Sequence, residues 1–352
     1  MKEVQVYIDD IPVMVPRDST VLEAARRAGA DIPTLCEHAN LSGFGACRMC
    51  VVEVEGAKNL PAACVQPVAD GMKVHTESQK VVRARQDILR LMLANHPLDC
   101  MTCESAGNCK LQDYCYRYGV ADTPYQGEVS QREVLDCNPF ILRDYTKCIL
   151  CGKCVRACAE IQGNFAVDFS QRGFASEIAA PYGEELEGGG CTFCGHCLDL
   201  CPTGALQAKI GQGEARTWER QRIKTTCAYC GVGCNLYLEV KDDKVVGVAP
   251  DFDAPVNKGH LCVKGRFGWD YIHSENRLTT PLLRREGELK PATWDEALDA
   301  VADKLTEIKK EHGSDSIGLL SSARCTNEEN YLAQKFARAV VGTNNIDHCA
   351  RL

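Results

Sequence analysis

Apolar and polar residues alternate at Val4, Val6 and Ile8 and again from Val13 to Val15, which predicts two strands. Thr20 and Glu23 form a capping-box pair around Val21, Leu22 and Ala25, and Gly29 follows, so a short helix is expected there. Helical spacing returns over 81–95, at Val81, Ile88, Leu89, Leu91 and Met92, until Pro97 stops it. Leu236, Leu238 and Val240 alternate, Asp242-Asp243 supplies a turn, and Val246 and Val248 alternate back: a β-hairpin. From Pro281 the pattern becomes α/β. Thr293 and Glu296 open a helix expected to turn Ala297, Leu298, Val301 and Leu305 inward and to end at Gly313. A buried strand over Ile317–Ser322, a polar loop, and a helix carrying Tyr331, Leu332, Phe336 and Val340 are expected next.

The chain has 352 residues, 45% hydrophobic and 25% charged, as soluble globular proteins do. Its length fits two or three ordinary domains, or more if they are small. A net charge of −8 argues against nucleic acid or an anionic membrane as the main partner. The apolar run ILRLMLANHP is too short to span a bilayer, and the first residues carry no export-signal pattern, so a cytoplasmic protein is expected.

The 23 cysteines change the picture most. Nineteen of them fall into metal-ligand runs, leaving Cys115, Cys137, Cys325 and Cys349. The count is odd and C-x2-C spacing recurs, which favours reduced, metal-bound thiols over a disulfide scaffold. Zinc competes for any single pair, but extended runs favour iron–sulfur clusters. The first run is Cys36, Cys47, Cys50 and Cys64, set among small residues (GFGACRMC) that let amides approach sulfur. Its spacing is not that of plant ferredoxins. His96 stands three residues ahead of Cys100, with Cys103 and Cys109 following, which makes the imidazole the expected fourth ligand there. Cys115 reads as a buried hydrophobe.

The strongest signal lies over 140–210. Cys148, Cys151, Cys154 and Cys158 form C-x2-C-x2-C-x3-C, and Cys191, Cys194, Cys197 and Cys201 repeat it before Pro202. In this bacterial two-cluster arrangement each fourth cysteine binds the other cluster. One [4Fe–4S] set is therefore Cys148, Cys151, Cys154 and Cys201, and the other Cys191, Cys194, Cys197 and Cys158. The 32 residues between the runs read as an insertion, with Tyr182–Gly190 a loop. GQGEARTWERQRIK marks a boundary, after which Cys227, Cys230, Cys234 and Cys262 form the last run.

Together these motifs resemble the catalytic (alpha) subunit of molybdenum or tungsten bis-pterin formate dehydrogenases. The first two modules also resemble those of respiratory NADH dehydrogenase and iron-only hydrogenase. The resemblance implies a multidomain α+β chain. Residues 1–78 would be a β-grasp, ferredoxin-like [2Fe–2S] domain and 79–120 a His/Cys3 [4Fe–4S] domain. Residues 138–210 would hold the two-cluster ferredoxin, 220–276 a small β-rich [4Fe–4S] domain, and 277–352 the start of an α/β molybdopterin domain. It further implies reversible oxidation of formate to CO2 at a bis-molybdopterin guanine dinucleotide carrying Mo or W, found in the full-length protein only. Electrons would pass through one [2Fe–2S] and four [4Fe–4S] clusters to an NAD(P)-reducing flavoprotein, ferredoxin or hydrogenase partner.

Lys264 matches the family's lysine between cluster and pterin, and so inherits the role of electron bridge. Arg324, Asn327 and Asn330 are candidate pterin-phosphate contacts, though loop capping explains them too. Cys349 reads as a packed neighbour. In the family the residue after Leu352 would be the metal-binding selenocysteine or cysteine, so a selenocysteine codon read as a stop is expected, and the fragment lacks its catalytic ligand. Two other readings share these modules: the large iron–sulfur subunit of an NADH:quinone oxidoreductase, and a non-catalytic electron-transfer subunit of a hydrogenase or diaphorase complex.

Overall fold

The structure, a computed structural model, describes residues 2–130, 132–183 and 185–349. Leu352, where a recoded stop is expected, lies outside the described residues. The chain divides into two compact units. The first comprises residues 1–222, 239–249 and 261–267, and the second 223–238, 250–260 and 268–352. Helix and sheet are mixed throughout.

In the first unit, β1 (Glu3–Ile8) pairs antiparallel with β2 (Ile11–Pro16) and parallel with β4 (Lys73–His75), which carries β3 (Glu53–Val54) on its other edge. The alternation that predicts β1 buries Val4, Val6 and Ile8. Helix α1 (Val21–Arg27) starts on the expected capping box: the Glu23 amide donates to Thr20 Oγ1 (3.3 Å) and the Thr20 amide to Glu23 Oε2 (2.7 Å). Its Val21, Leu22, Ala24 and Ala25 close the core under the sheet.

Helix α2 (Gln79–Leu93) presents Leu89 and Leu93 to a second core, which also takes Leu111 from α3 (Lys110–Arg117). Arg85, fully buried on α2, ties the two cores together. It donates to the Val51 carbonyl (2.9 Å), the Tyr118 hydroxyl (2.7 Å) and Glu77 (2.8 Å).

The next module places β6 (Ile141–Asp144) between β5 (Val134–Leu135) and β9 (Leu206–Ala208). Helices α4 (Lys153–Arg156) and α5 (His196–Leu200) begin inside the two cysteine runs. A π-helical turn, Ala157–Gln162, continues α4 through Cys158. The expected insertion folds partly as a hairpin, β7 (Asp168–Ser170) with β8 (Glu177–Ala179). Leu186, in the stretch read as a loop, is buried with Ile141, Phe193 and Phe267.

Strand β10 (Gln221–Thr226) precedes β11 (Asn235–Lys241) and β12 (Lys244–Pro250), and the β11–β12 turn sits at Asp242 and Asp243 as expected. Both turn residues have positive φ (48° and 61°), a conformation aspartate tolerates better than most residues. A short helix, α6 (Val263–Phe267), follows Cys262.

The second unit adds a hairpin, β13 (Leu282–Arg285) with β14 (Glu288–Pro291), then α7 (Trp294–His312), β15 (Leu319–Ser321), α8 (Asn327–Lys335) and β16 (Ile346–His348). The α7 capping box forms and Gly313 ends the helix, but its apolar face is not turned inward. Leu298 and Val301 stay more than half exposed, and α7 buries no residue. The parallel sheet beside it in sequence is two three-residue strands, too narrow to cover a 19-residue helix. For the same reason the strand expected to be buried over Ile317–Ser322 buries Ile317 but leaves Leu320 exposed, and Tyr331, Leu332, Phe336 and Val340 are exposed as well.

Candidate metal centres

Cys36, Cys47, Cys50 and Cys64 are all buried, and hydrogen bonds between their thiols link them in one cluster. The Cys50 and Cys64 sulfurs lie 3.3 Å apart, and the Cys47 amide points at Cys36 Sγ (3.5 Å). Hydrogen bonds from the Cys47 and Cys64 thiols hold the Cys36 thiol far below its ordinary value. The same bonds, with burial, push Cys47 and Cys64 up. Four thiolates cannot coexist there without a compensating cation, which bound iron would supply.

His96, Cys100 and Cys109 line a cavity of about 390 Å³, and the charges of Cys103 and Cys100 act on the Cys109 thiol. The His96 ring is half-buried, and burial lowers its pKa, so it stays neutral. Its Nδ1 lies 2.8 Å from the Pro97 carbonyl and therefore carries the proton. That leaves a lone pair on Nε2, which is buried and has no hydrogen-bond partner. An orphaned imidazole nitrogen beside three cysteines fits an iron ligand. Burial pushes the Cys109 thiol up to about 11. Cys115, read from sequence as a buried hydrophobe, packs against the apolar core of this module but is only half-buried, and it lines the same cavity.

The two ferredoxin-type runs share one backbone form. Leu150 and Gly152 have φ of 53° and 69°, and their counterparts Phe193 and Gly195 have 50° and 77°. These left-handed residues turn amides toward sulfur: Leu150 N–H to Cys148 Sγ and Phe193 N–H to Cys191 Sγ, both 3.4 Å, and Ala166 N–H to Cys158 Sγ, 3.2 Å. The fourth cysteines cross over. Cys201 lines a cavity with Cys148, Cys151 and Cys154, while the charge of Cys158 helps raise the Cys191, Cys194 and Cys197 thiols. Burial pushes Cys151 up to about 12, and Cys154 and Cys197 well above their usual value.

These sites are packed against one another. Cys36, Cys47, Cys109 and Cys151 belong to one core cluster. The Cys109 thiol faces the carbonyl of Pro202 at 3.7 Å, and that carbonyl also accepts the Lys110 amide (2.9 Å). At Gly204 a Cβ would stand 2.8 Å from Cys103 Sγ, so only glycine permits the approach. From α4, the Arg156 guanidinium donates to the carbonyls of Cys36 and Ser42 and lies 5.0 Å over the Phe44 ring. Lys153, 8% exposed, lies in the field of Cys151, Cys201, Glu37 and Cys36, and burial lowers its pKa against their pull. Lys147 is also buried, and burial opposes its charge. Asp144 (2.7 Å) and Asp99 (3.3 Å), with the field of Cys103, nonetheless raise its pKa.

At the other end, Cys191 and Cys197 pack with Val263 and Phe267 of α6. Arg266 fixes that helix: it pairs with buried Asp199 and donates to the Val248 carbonyl (3.1 Å). None of Lys147, Lys153, Arg156, Asp199 or Arg266 stands out in the sequence, since a basic residue beside a cysteine run is ordinarily solvated.

Cys227, Cys230 and Cys234 lie in the second unit and Cys262 in the first. The Cys227 amide donates to the Cys234 carbonyl (2.8 Å), folding that loop on itself. Buried Asn257 accepts the Asn235 amide (2.9 Å) and donates to the Asn235 and His260 carbonyls (3.0 Å each), a staple that the sequence did not reveal. Lys264 is exposed on α6. Cys349, expected to be packed, is exposed because it sits just past the end of the short strand β16, and its sulfur accepts the Ala323 amide (3.5 Å). Asn330 is committed to its own loop: it accepts from Ser321 Oγ and donates to the Cys325 carbonyl (3.4 Å). Arg324 and Asn327 are on the same loop–helix turn. The thiol and imidazole sets within the first unit thus fit iron–sulfur clusters, whereas the pterin candidates do not by themselves form a site for that cofactor.

Residues 1–79 match the 2Fe-2S iron-sulfur cluster binding domain, and 85–124 the NADH-ubiquinone oxidoreductase-G iron-sulfur binding region. Residues 138–207 match the ferredoxin-like domain of NADH-quinone oxidoreductase subunit 3, 220–274 the molybdopterin oxidoreductase Fe4S4 domain, and 277–352 molybdopterin oxidoreductase. The chain is 41% identical over 349 residues to the alpha subunit of an NADPH-Fe(3+) oxidoreductase of Geobacter sulfurreducens, covering 99% of this chain and 40% of that protein. It is 32% identical over 385 residues to a Staphylococcus aureus protein provisionally named a formate dehydrogenase, covering 98% of this chain and 39% of the other. It therefore spans about two fifths of the length of these relatives. Among solved structures, a chain of an NAD+-reducing [NiFe]-hydrogenase in the H2-reduced state is 33% identical with a TM-score of 0.54, over 58% of this chain and 87% of that one. No helix among the described residues is long and apolar enough to cross a membrane. The matched modules thus run from 2Fe-2S and 4Fe-4S iron–sulfur domains, the kind that transfer electrons, to the start of a molybdopterin oxidoreductase domain.

Proposed function

We propose that this chain is the electron-relay portion of a formate dehydrogenase catalytic subunit. In this reading it has five sites, ligated by the residue sets given above, with domain limits at 1–78, 79–120, 138–210, 220–276 and 277–352. Bound clusters supply reversible one-electron carriage. The polypeptide sets their order, spacing and charge. One observation carries the relay reading: the Cys109 thiol rests on the carbonyl of Pro202, the residue after Cys201, inside a core that also holds Cys36, Cys47 and Cys151. This packing favours a junction over a line. The set containing Cys201 borders both the His96 site and the Cys36 site, and the set containing Cys191 borders α6, which bears Lys264. Electrons from a formate-oxidising centre would enter on the Lys264 side and leave toward an NAD(P)-reducing flavoprotein, ferredoxin or hydrogenase subunit.

A second reading, an NADPH-linked oxidoreductase without formate chemistry, is favoured by the 41% identity to the NADPH-Fe(3+) oxidoreductase subunit. One experiment separates them. The full-length protein with its natural partner subunits is mixed anaerobically with formate or with NADPH, and bleaching of the visible absorbance is followed. Reduction by formate supports the formate reading. Reduction by NADPH alone refutes it in favour of the second.

A further inference from the structure

Ten residues separate Cys36 from Cys47, against two between Cys47 and Cys50, and the longer loop is fastened to α4 and the π-helical turn after it. The buried Arg156 guanidinium donates to the carbonyls of Cys36 and Ser42. One turn on, the Glu160 carboxylate accepts both the Ser42 amide (2.7 Å) and the Ser42 hydroxyl (2.6 Å). The Phe44 ring lies under the guanidinium, 5.0 Å away, and stacks on Phe169 with centroids 6.2 Å apart. Gly152 makes room for that pair, since a Cβ there would stand 3.0 Å from the Phe44 ring and 3.1 Å from the Phe169 ring. Arg156 stands in sequence between Cys154 and Cys158, which the crossed runs assign to different [4Fe–4S] sets. One helical segment therefore bears a ligand of each ferredoxin-type site and grips the backbone of a Cys36-site ligand.

We propose that Arg156 is a positioning residue for electron exchange between the Cys36 site and the ferredoxin-type pair, acting through the 36–47 loop that it and Glu160 clasp against α4. The inference rests on the relay reading of these sites. In the exchange one electron leaves the reduced centre and enters the oxidised one; no bond forms or breaks and no proton moves. Arg156 fixes the separation the electron crosses. A planar guanidinium suits the task, because its rigid fork of donors holds two carbonyls at once and its charge does not titrate.

The test uses the full protein, purified anaerobically. Parent, Arg156→Lys and Glu160→Ala are compared by iron content, by cluster potentials and by hydrogen exchange over residues 37–46. The fourth readout is the rate at which a small electron dose from flash-reduced deazaflavin redistributes between [2Fe–2S] and [4Fe–4S] absorbance. Both variants are expected to keep their iron, and Arg156→Lys its potentials, since the charge stays. Hydrogen exchange over 37–46 is expected to quicken and the redistribution to slow several-fold. Arg156→Lys is expected to slow it more, because an ammonium lacks the fork that holds both carbonyls. Redistribution as fast in both variants as in the parent overturns the inference, and so does unchanged hydrogen exchange. Slowing in Arg156→Lys that a shift in potential accounts for also overturns it, since driving force and not position then sets the rate. Loss of iron from the Cys36 site in both variants makes the clasp a support for cluster assembly and overturns it too. A parent with no concentration-independent redistribution removes the relay reading itself, and the inference with it.

Discussion

Replacing Arg266 by methionine tests how α6 is held against the ferredoxin-type module. The guanidinium is 2% exposed and its partner, the Asp199 carboxylate, 5%. Burial pushes the Asp199 carboxyl up to about 7 even though Arg266 pulls it down. Removing the arginine strands that group without its counterion, which costs about 3–5 kcal/mol. The Val248 carbonyl also loses a donor, but the two losses share one side chain and are not added. With a slope of roughly 3 kcal/mol per molar urea, the unfolding midpoint falls by about 1–1.7 M. The assay is anaerobic urea denaturation followed by far-UV circular dichroism, with iron content checked at each point because cluster loss breaks two-state behaviour. The double variant Arg266→Met/Asp199→Leu restores most of the lost stability, since an apolar pair replaces a buried ion pair at little cost. A midpoint that does not move in Arg266→Met, or a double variant no better than the single one, refutes the reasoning.

Three further outcomes follow from the packing. Gly204→Val drives a side chain into Cys103 Sγ, so iron at the His96 site is lost while the [2Fe–2S] spectrum stays; retention of both spectra contradicts the close approach. Lys153→Met lowers the potentials of the Cys36 and Cys148 sites together, because a unit charge at ~10 Å and an effective dielectric of ~20 is worth about 1.7 kcal/mol, roughly 70 mV. The Cys191 site serves as the unmoved reference in that EPR titration, and equal potentials in variant and parent would show that the lysine charge is screened. Stripping iron with an oxidant and chelator lowers the thermal midpoint markedly, since Cys36, Cys47, Cys109 and Cys151 are core residues and metal binding is coupled to folding; an unshifted midpoint contradicts that coupling.

Local features were legible in the sequence because they depend on neighbours in the chain. The Thr20/Glu23 and Thr293/Glu296 capping boxes, the Asp242-Asp243 turn and the repeated cysteine runs are all set within a few residues. What covers a surface was not legible. Periodicity gives α7 an apolar face, yet says nothing about what lies against it, and that face is open among the described residues. Spatial order was hidden for the same reason. The His96 module stands between the first run and the ferredoxin-type runs in sequence, while Cys36, Cys109 and Cys151 share one core. Lys153 and Arg156 look like ordinary basic residues until the Cys36 loop closes over them.

The most direct test of the relay is an iron count joined to redox-titrated EPR on anaerobically purified, fully assembled protein. The account predicts about 18 iron atoms per chain, from one two-iron and four four-iron sites, little zinc, and several distinct signals on dithionite reduction. Pale protein that binds zinc in place of iron, and gives no signal on reduction, would contradict it.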